Sequence, residues 1–308
     1  MSLAKTALFV RRAVGGLFAV EDQKAGTGDR IFVHSGTGTD SGGYGTGPDK
    51  PCATIDYAIG LCTASEGSQV IVMEGHTEAI IAAATLTMDV AGVQIIGLGM
   101  GRLKPQISIT TAADATWNVT AANCSIKNVD IISNFLDIAS AMTVGASADG
   151  LTLDGVGFFD TDATHGSLIG ISIAAACSDV TVKNCNYYGV ELTAAATDGI
   201  LCAGAVDRLR VDNCFFTGEF SGSIVTASAA ASTNVILTNI LEVNLSTTGK
   251  GITLNAGTTG IADNVQAYLA DVGAGEFAVS GAACAMTDRV RQTNVVTAST
   301  FLCIAPDS

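Results

Sequence analysis

CSIKNVDI (124–131), LTLDGVGF (151–158), VTVKNCNY (180–187), LRVDNCFF (209–216), VILTNILE (235–242) and GIADNVQA (260–267) are one phrase written six times. Its fifth place is held by Asn128, Gly155, Asn184, Asn213, Asn239 and Asn264, at intervals of 27, 29, 29, 26 and 25 residues. A near-constant period of this size marks a solenoid, in which a single coil cannot bury its apolar face and does so by stacking on its neighbours.

Within the phrase, apolar residues alternate with polar ones. Ile126, Leu153, Val182, Val211 and Leu237 stand two places before the fifth; Val129, Val156, Cys185 and Cys214 stand one place after it. Side chains two apart on a strand share a face, so each phrase reads as two short strands whose inward phase changes at the Asn or Gly between them. Asn and Gly accept a left-handed backbone, and an Asn amide can bond its counterpart one coil away. Asn128, Asn184, Asn213, Asn239 and Asn264 are therefore expected to form a ladder at a tight bend. A second strand family lies upstream in each repeat: Trp117 and Val119, Met142 and Val144, Ile171 and Ile173, Ile200 and Cys202, Ile224 and Thr226, Ile252 and Leu254, Phe277 and Val279. Parallel stacks favour β-branched residues, which the chain supplies freely. The expected fold is all-β: a right-handed, single-stranded parallel β-helix with 25–29 residues per coil. The place before the ladder reads Lys127, Asp154, Lys183, Asp212, an outward column of alternating charge that pins register more than it stabilises.

Before the coils, residues 1–30 hold Lys5, Arg11, Arg12, Lys24 and Arg30 without the β-helix phase, and form an expected N-terminal arm. Residues 31–67 supply a strand (Ile31 to Val33), a Gly-rich loop (Gly36 to Gly47) and a helix marked by Pro48 and Pro51 ahead of the stripe Ala53, Ile55, Ala58, Ile59 and Cys62. A helix there covers the open first coil. The coils proper are expected over 68–285, with 286–308 as a C-terminal cap or tail. Ala7 to Val20 is faintly like a signal peptide, but Arg11 and Arg12 interrupt it, and no export by that route is expected.

With 15 Lys and Arg against 29 Asp and Glu, a net charge of −14, the chain offers no basic surface for nucleic acid. No apolar run is long enough to cross a membrane as a helix. The nine Cys lack metal-ligand spacing, the three His are far apart, and GTGTDSGGYGTG (36–47) lacks the Lys and the strand–helix context of a phosphate loop. Neither metal nor cofactor is expected.

The stretch IFVHSGTGTDSGGYGTGPDKPCATIDYAIGLCTASEGSQVIVMEGHTE (31–78) resembles the opening of pectin-lyase-like right-handed β-helix proteins: strand, Gly/Asp-rich loop, Pro-x-x-Thr-Ile helix, then a Gly-x-x-Val-x-Val strand leading into the first coil. With the coils, the resemblance covers about 31–285. VAGVQIIGLGMGRLKPQISITTAADATWNVTAANCSIKNVDIIS (90–133) is similar to β-helix proteins encoded in tailed-phage genomes. That narrower resemblance implies a structural component of a virion, a head decoration or capsid-surface protein. It further implies a homotrimer, and an N-terminal arm (Lys5, Arg11, Arg12) attaching to the major capsid protein or another virion protein. The alternative is a tail spike or fibre that binds or cleaves a host-surface glycan, as lyase or hydrolase. Cleavage needs matched acids across a sugar; the candidates are Asp160, Asp162 and His165 in DTDATHG (160–166), then Glu191, Asp207, Arg208, Arg210 and Glu219. The short, even intervals leave out the long loops that wall a cleft, which favours the non-enzymatic expectation. Among outward aromatics, Phe159, Tyr188 and Tyr44 are placed to stack on sugar.

Overall fold

The computed structural model describes residues 28–190, 196–246 and 248–269 in full, with the backbone of the short strands Phe9–Arg11, Phe18–Val20, Val279–Ser280, Ala285–Met286 and Arg291–Asn294. Parallel strands stack coil on coil in register. Before the bend, Ile126, Leu153, Val182, Val211, Leu237 and Ala262 form one inward row. After it, Ile131, Phe158, Tyr187, Phe216, Glu242 and Ala267 form another. A third sheet closes each coil through Trp117, Met142, Ile171, Ile200, Val225 and Ile252. The result is a right-handed parallel β-helix whose core is the stack of these rows.

The bend is built from left-handed residues. Asn128, Asn184, Asn213, Asn239 and Asn264 have φ between 51° and 54°, and Gly155 has φ 68°. Backbone bonds carry each bend to the next, as Asn128 N–H to Asp154 O (3.0 Å) and Asn184 N–H to Asp212 O (3.1 Å). The side chains make a mixed column. Asn213 donates to Asn184 Oδ1 (2.7 Å) and Asn264 to Asn239 Oδ1 (2.9 Å). Asn184 instead donates to Asp154 Oδ1 (2.7 Å), because the coil below has Gly155 at the bend and offers no amide. Asn239 donates to Asp212 Oδ1 (3.1 Å), and Asn128 to the Gly97 and Gly99 carbonyls.

The third sheet departs from expectation at one strand. Val225 and Ala227, not Ile224 and Thr226, continue the row from Ile200 and lead on to Ile252 and Leu254. Pairing shifts by one residue between Ala196–Phe220 and Asp198–Ser223, a bulge that period counting does not register. Ile224 is still buried, where the two preceding coils have Gly170 and Gly199. Those glycines leave room for rings: a Cβ on Gly170 would sit 2.7 Å from the Tyr187 ring, and one on Gly199 3.2 Å from Phe216. Further on, Val279 pairs with Ile252, while Phe277 lies outside the described residues.

At the start, Arg30–Val33 pairs with Gln69–Val72, and the helix Ile55–Gly60 buries Ile55, Ala58 and Ile59 over the first coil. The helix is shorter than the apolar stripe. Asp40 holds Ala53 N–H (2.7 Å) and Thr54 N–H (3.2 Å) in extended chain, and Thr54 is the N-cap, accepting from Tyr57 N–H. At the other end Arg291–Asn294 pairs with Gln266–Leu269, so coil pairing continues past residue 285. Within 1–30, Phe9–Arg11 and Phe18–Val20 form an antiparallel pair. Lys5 and Arg12 lie outside the described residues, and of Arg11 the backbone alone is described.

Candidate functional site

Asp160, Asp162 and His165 share one loop but do not converge. Asp160 ends the strand Gly157–Asp160 and points inward. Its carboxylate accepts Ser167 N–H (3.0 Å) and lies 3.3–3.4 Å from the Tyr187 hydroxyl, which also meets Ser167 Oγ (3.0 Å). Burial pushes its pKa up to about 7 against the pull of these donors. Asp162, by contrast, faces solvent and closes a turn, accepting Thr164 N–H (2.8 Å), His165 N–H (3.0 Å) and His165 Nδ1 (2.9 Å). Those bonds, led by Thr164, lower its pKa to about 2. One acid is inside the coil and the other outside, so the pair does not flank a common sugar position.

Of the later candidates, Arg208, with Asp207 beside it, belongs to a second left-handed column that the sequence reading missed. Gly92, Asn123, Gly150, Asp179, Arg208 and Asn234 all have positive φ, and each immediately precedes the first inward residue of a phrase. Backbone bonds link them across coils, as Asp179 N–H to Asp207 O (2.9 Å) and Arg208 N–H to Thr233 O (2.9 Å). The signal lay in the sequence as a Gly, Asn or Asp one place before four of the six phrases, with Arg208 and Thr259 before the other two. Arg208 is held there by a two-pronged contact with Asp179 (2.5 and 2.7 Å) and a further bond to Asp207. Asp207 also accepts Thr233 Oγ1 (2.6 Å) and Asn234 Nδ2 (3.0 Å), and Arg210 reaches Asp212 (3.0 Å). Asp179, Arg208 and Asp207 thus stitch coils together, while the Arg210 bond stays within its own strand. Glu219 lies at the opposite end of the strand Arg210–Gly218, and Glu191 falls outside the described residues.

A further polar cluster sits at the N-terminal cap. His76 is fully buried; its Nδ1 accepts Ser35 N–H (3.0 Å), so its ring proton is on Nε2, which donates to Glu78 Oε2 (3.1 Å). Ile55 N–H donates to the same oxygen (2.9 Å). Both imidazole nitrogens are thereby engaged, leaving none to activate Ser35. A hollow of about 380 Å³ beside it is lined by Ser35, Thr54, Asp56, Thr77, Glu78 and Thr85. Among the described residues no three His, Cys, Asp or Glu are grouped to hold a metal ion, and no helix is long and apolar enough to cross a membrane.

The outer surface after the bend is different in kind. Ile132, Phe159 and Tyr188 stand in register, followed on the same row by Thr217, Val243 and Tyr268, while Phe215 and Leu241 widen the band two residues nearer the bend. Phe159 and Tyr188 stack face to face (5.2 Å, 14°), and Phe215 meets Tyr188 edge-on (5.6 Å, 62°). Tyr188 is 39% exposed and Leu241 47%. Phe159 and Tyr188 cover each other's faces along the coil axis, whereas sugar stacking needs an open ring face. Tyr44 lies apart, in the cap loop.

No family model matches this chain, and no curated protein matches it in sequence. Among solved structures, a rhamnogalacturonan lyase superposes with a TM-score of 0.55 at 15% identity, over 79% of this chain and 69% of its own. That likeness shows that the two share the parallel β-helix fold.

Proposed function

We propose that this β-helix is a structural component of a multi-copy assembly, a tailed-phage virion, serving as a head decoration or capsid-surface protein. The observation that carries the reading is the apolar band on one outer face, made of the uncharged Phe159, Tyr188, Phe215, Leu241, Val243 and Tyr268, on a chain of net charge −14. Copies of such a chain repel one another except where charge is missing, and apolar side chains repeated at the coil spacing suit a protein neighbour built to the same spacing. Self-association, as a trimer, is the partner reading; attachment through residues 1–30 is the anchoring one. Mass spectrometry of purified particles should find the protein in many copies, and absence there ends this proposal. Sedimentation should report a trimer that Tyr188→Lys with Leu241→Lys converts to monomer.

A second reading, a polysaccharide lyase or hydrolase on a spike or fibre, draws support from the fold shared with a rhamnogalacturonan lyase. It predicts that the chain shortens a host-surface or acidic polysaccharide. Intact polysaccharide after prolonged incubation counts against this reading.

A further inference from the structure

The inward column one place after the bend reads Val129, Val156, Cys185, Cys214, Ile240, Val265. Two successive coils thus replace an aliphatic residue with a thiol. Strand register pairs Lys183 with Asp212 and Asn186 with Phe215, which puts Cys185 directly against Cys214. The Phe215 N–H bond to the Cys185 carbonyl (3.0 Å) holds that alignment. In-register neighbours in a parallel sheet stand about 4.8 Å apart, within the Cα separation of roughly 4.4–6.8 Å that a disulfide spans.

We propose that Cys185 and Cys214 are an oxidisable pair that closes into a disulfide joining two adjacent coils. Each thiol is buried, and each also reaches the carbonyl two residues back, Lys183 O at 3.2 Å and Asp212 O at 3.3 Å, so the bend orients both sulfurs alike. The contact between the two sulfurs, with burial, raises the Cys185 pKa, and the same contact lowers that of Cys214. Cys214 is therefore the attacking sulfur and Cys185 the resolving one. The oxidant is a small-molecule disulfide such as oxidised glutathione, admitted when the coil opens locally. The Cys214 thiolate bonds to one glutathione sulfur and expels the other as thiolate. Cys185 then gives up its proton, bonds to the Cys214 sulfur and releases the second glutathione thiol. Two protein thiols lose two electrons and two protons; one reagent disulfide becomes two thiols. The closed ring is one coil long, and it prevents those neighbours from parting in a structure whose cohesion is otherwise nearest-neighbour packing.

The test uses the full chain, purified reduced and then equilibrated with oxidised glutathione. Trypsin cleaves after Lys183, Arg208, Arg210 and Lys250, so the non-reduced digest should contain peptide 184–208 joined to 211–250, two hydrogens lighter than their sum. Fragmentation must place the link on Cys185 rather than Cys202. The midpoint of thermal unfolding should rise by roughly 5–8 °C and fall back on reduction. Cys202→Ser should keep the shift; Cys214→Ser should lose it. Cys185→Val, which restores the residue type of its column, should fold well and also lose it. A link through Cys202, a persistent glutathione adduct on Cys214, or an unchanged mass after equilibration overturns the proposal.

Discussion

The two outer faces that flank the asparagine bend are made by the same pleat and differ in almost everything else. Ahead of the bend, Lys127, Asp154, Lys183 and Asp212 stack in register, and the Lys183–Asp154 pair closes at 3.3 Å while Asp212 turns to Arg210 and Thr238. Behind it, Ile132, Phe159, Tyr188, Phe215 and Leu241 form an uncharged band. Equal regularity therefore does not mean equal purpose. On one face Lys183 pairs with Asp154 and Asp212 with Thr238 of neighbouring coils; on the other, apolar surface is left for something outside the chain.

The bend separates the faces, so breaking it should have the largest effect. Asn184→Val places a β-branched residue at φ 54° and removes the bonds to Asp154 and Asn213. We expect a loss of about 2–4 kcal/mol by urea unfolding, with Asn184→Gly costing about 1 kcal/mol because only the bonds are lost. Equal losses for the two variants would mean that backbone conformation is not what the bend demands.

Beneath the apolar band the alternation is inverted: Leu241 is 47% exposed and Glu242 fully buried, with neither carboxyl oxygen bonded. The register pairs Glu242 with Phe216 and Ala267, and a one-residue slip would turn every neighbour outward, so position outweighs polarity. Burial raises the Glu242 pKa well above its ordinary value and that of Asp160 to about 7. In this window the unfolded chain has released protons that the folded chain keeps. Each group should thus lower stability as pH rises, by about 1.4 kcal/mol per pH unit, from about pH 4 toward its folded pKa. Asp162, Asp179, Asp207 and Asp212, with lowered pKa values, act in the opposite sense below that range. Stability should peak on the acid side of neutral. Glu242→Gln should flatten the decline above pH 5 and Asp160→Asn should flatten its part between about pH 4 and 7; denaturation at stepped pH measures both.

Transplanting charge onto the uncharged face sharpens the contrast between surface and fold. Tyr188→Lys is outward, so it should cost the isolated chain no more than about 1 kcal/mol through lost ring contacts while lowering association measured by sedimentation. A large stability loss with unchanged association would reverse the reading of this face.

The period of 25–29 residues made the coil, the bend and the charged column legible, because inward burial repeats and repetition averages out local accidents. What period counting missed are breaks in repetition. The bulge in Phe220–Ala227 adds a residue without changing the phrase, and Arg208 hides a left-handed position behind a side chain that seldom occupies one. The acids illustrate a different limit. Asp160 and Asp162 are two residues apart, yet a turn closed by Asp162 sends one inward and the other to solvent. Spacing alone does not reveal that parting.

The smallest effect belongs to the charged column. Lys183 and Asp154 are 40% and 28% exposed at the side chain, and water and salt screen such a pair. Lys183→Ala should change stability by only a few tenths of a kcal/mol, less at high salt. Its role is to oppose wrong stacking: Lys183→Asp would set three acids in a row with Asp154 and Asp212, where like charges repel across each coil step. That variant should lose more than the alanine one, and salt should restore the difference. If salt restores nothing, the column is decoration on a register already set by the bend.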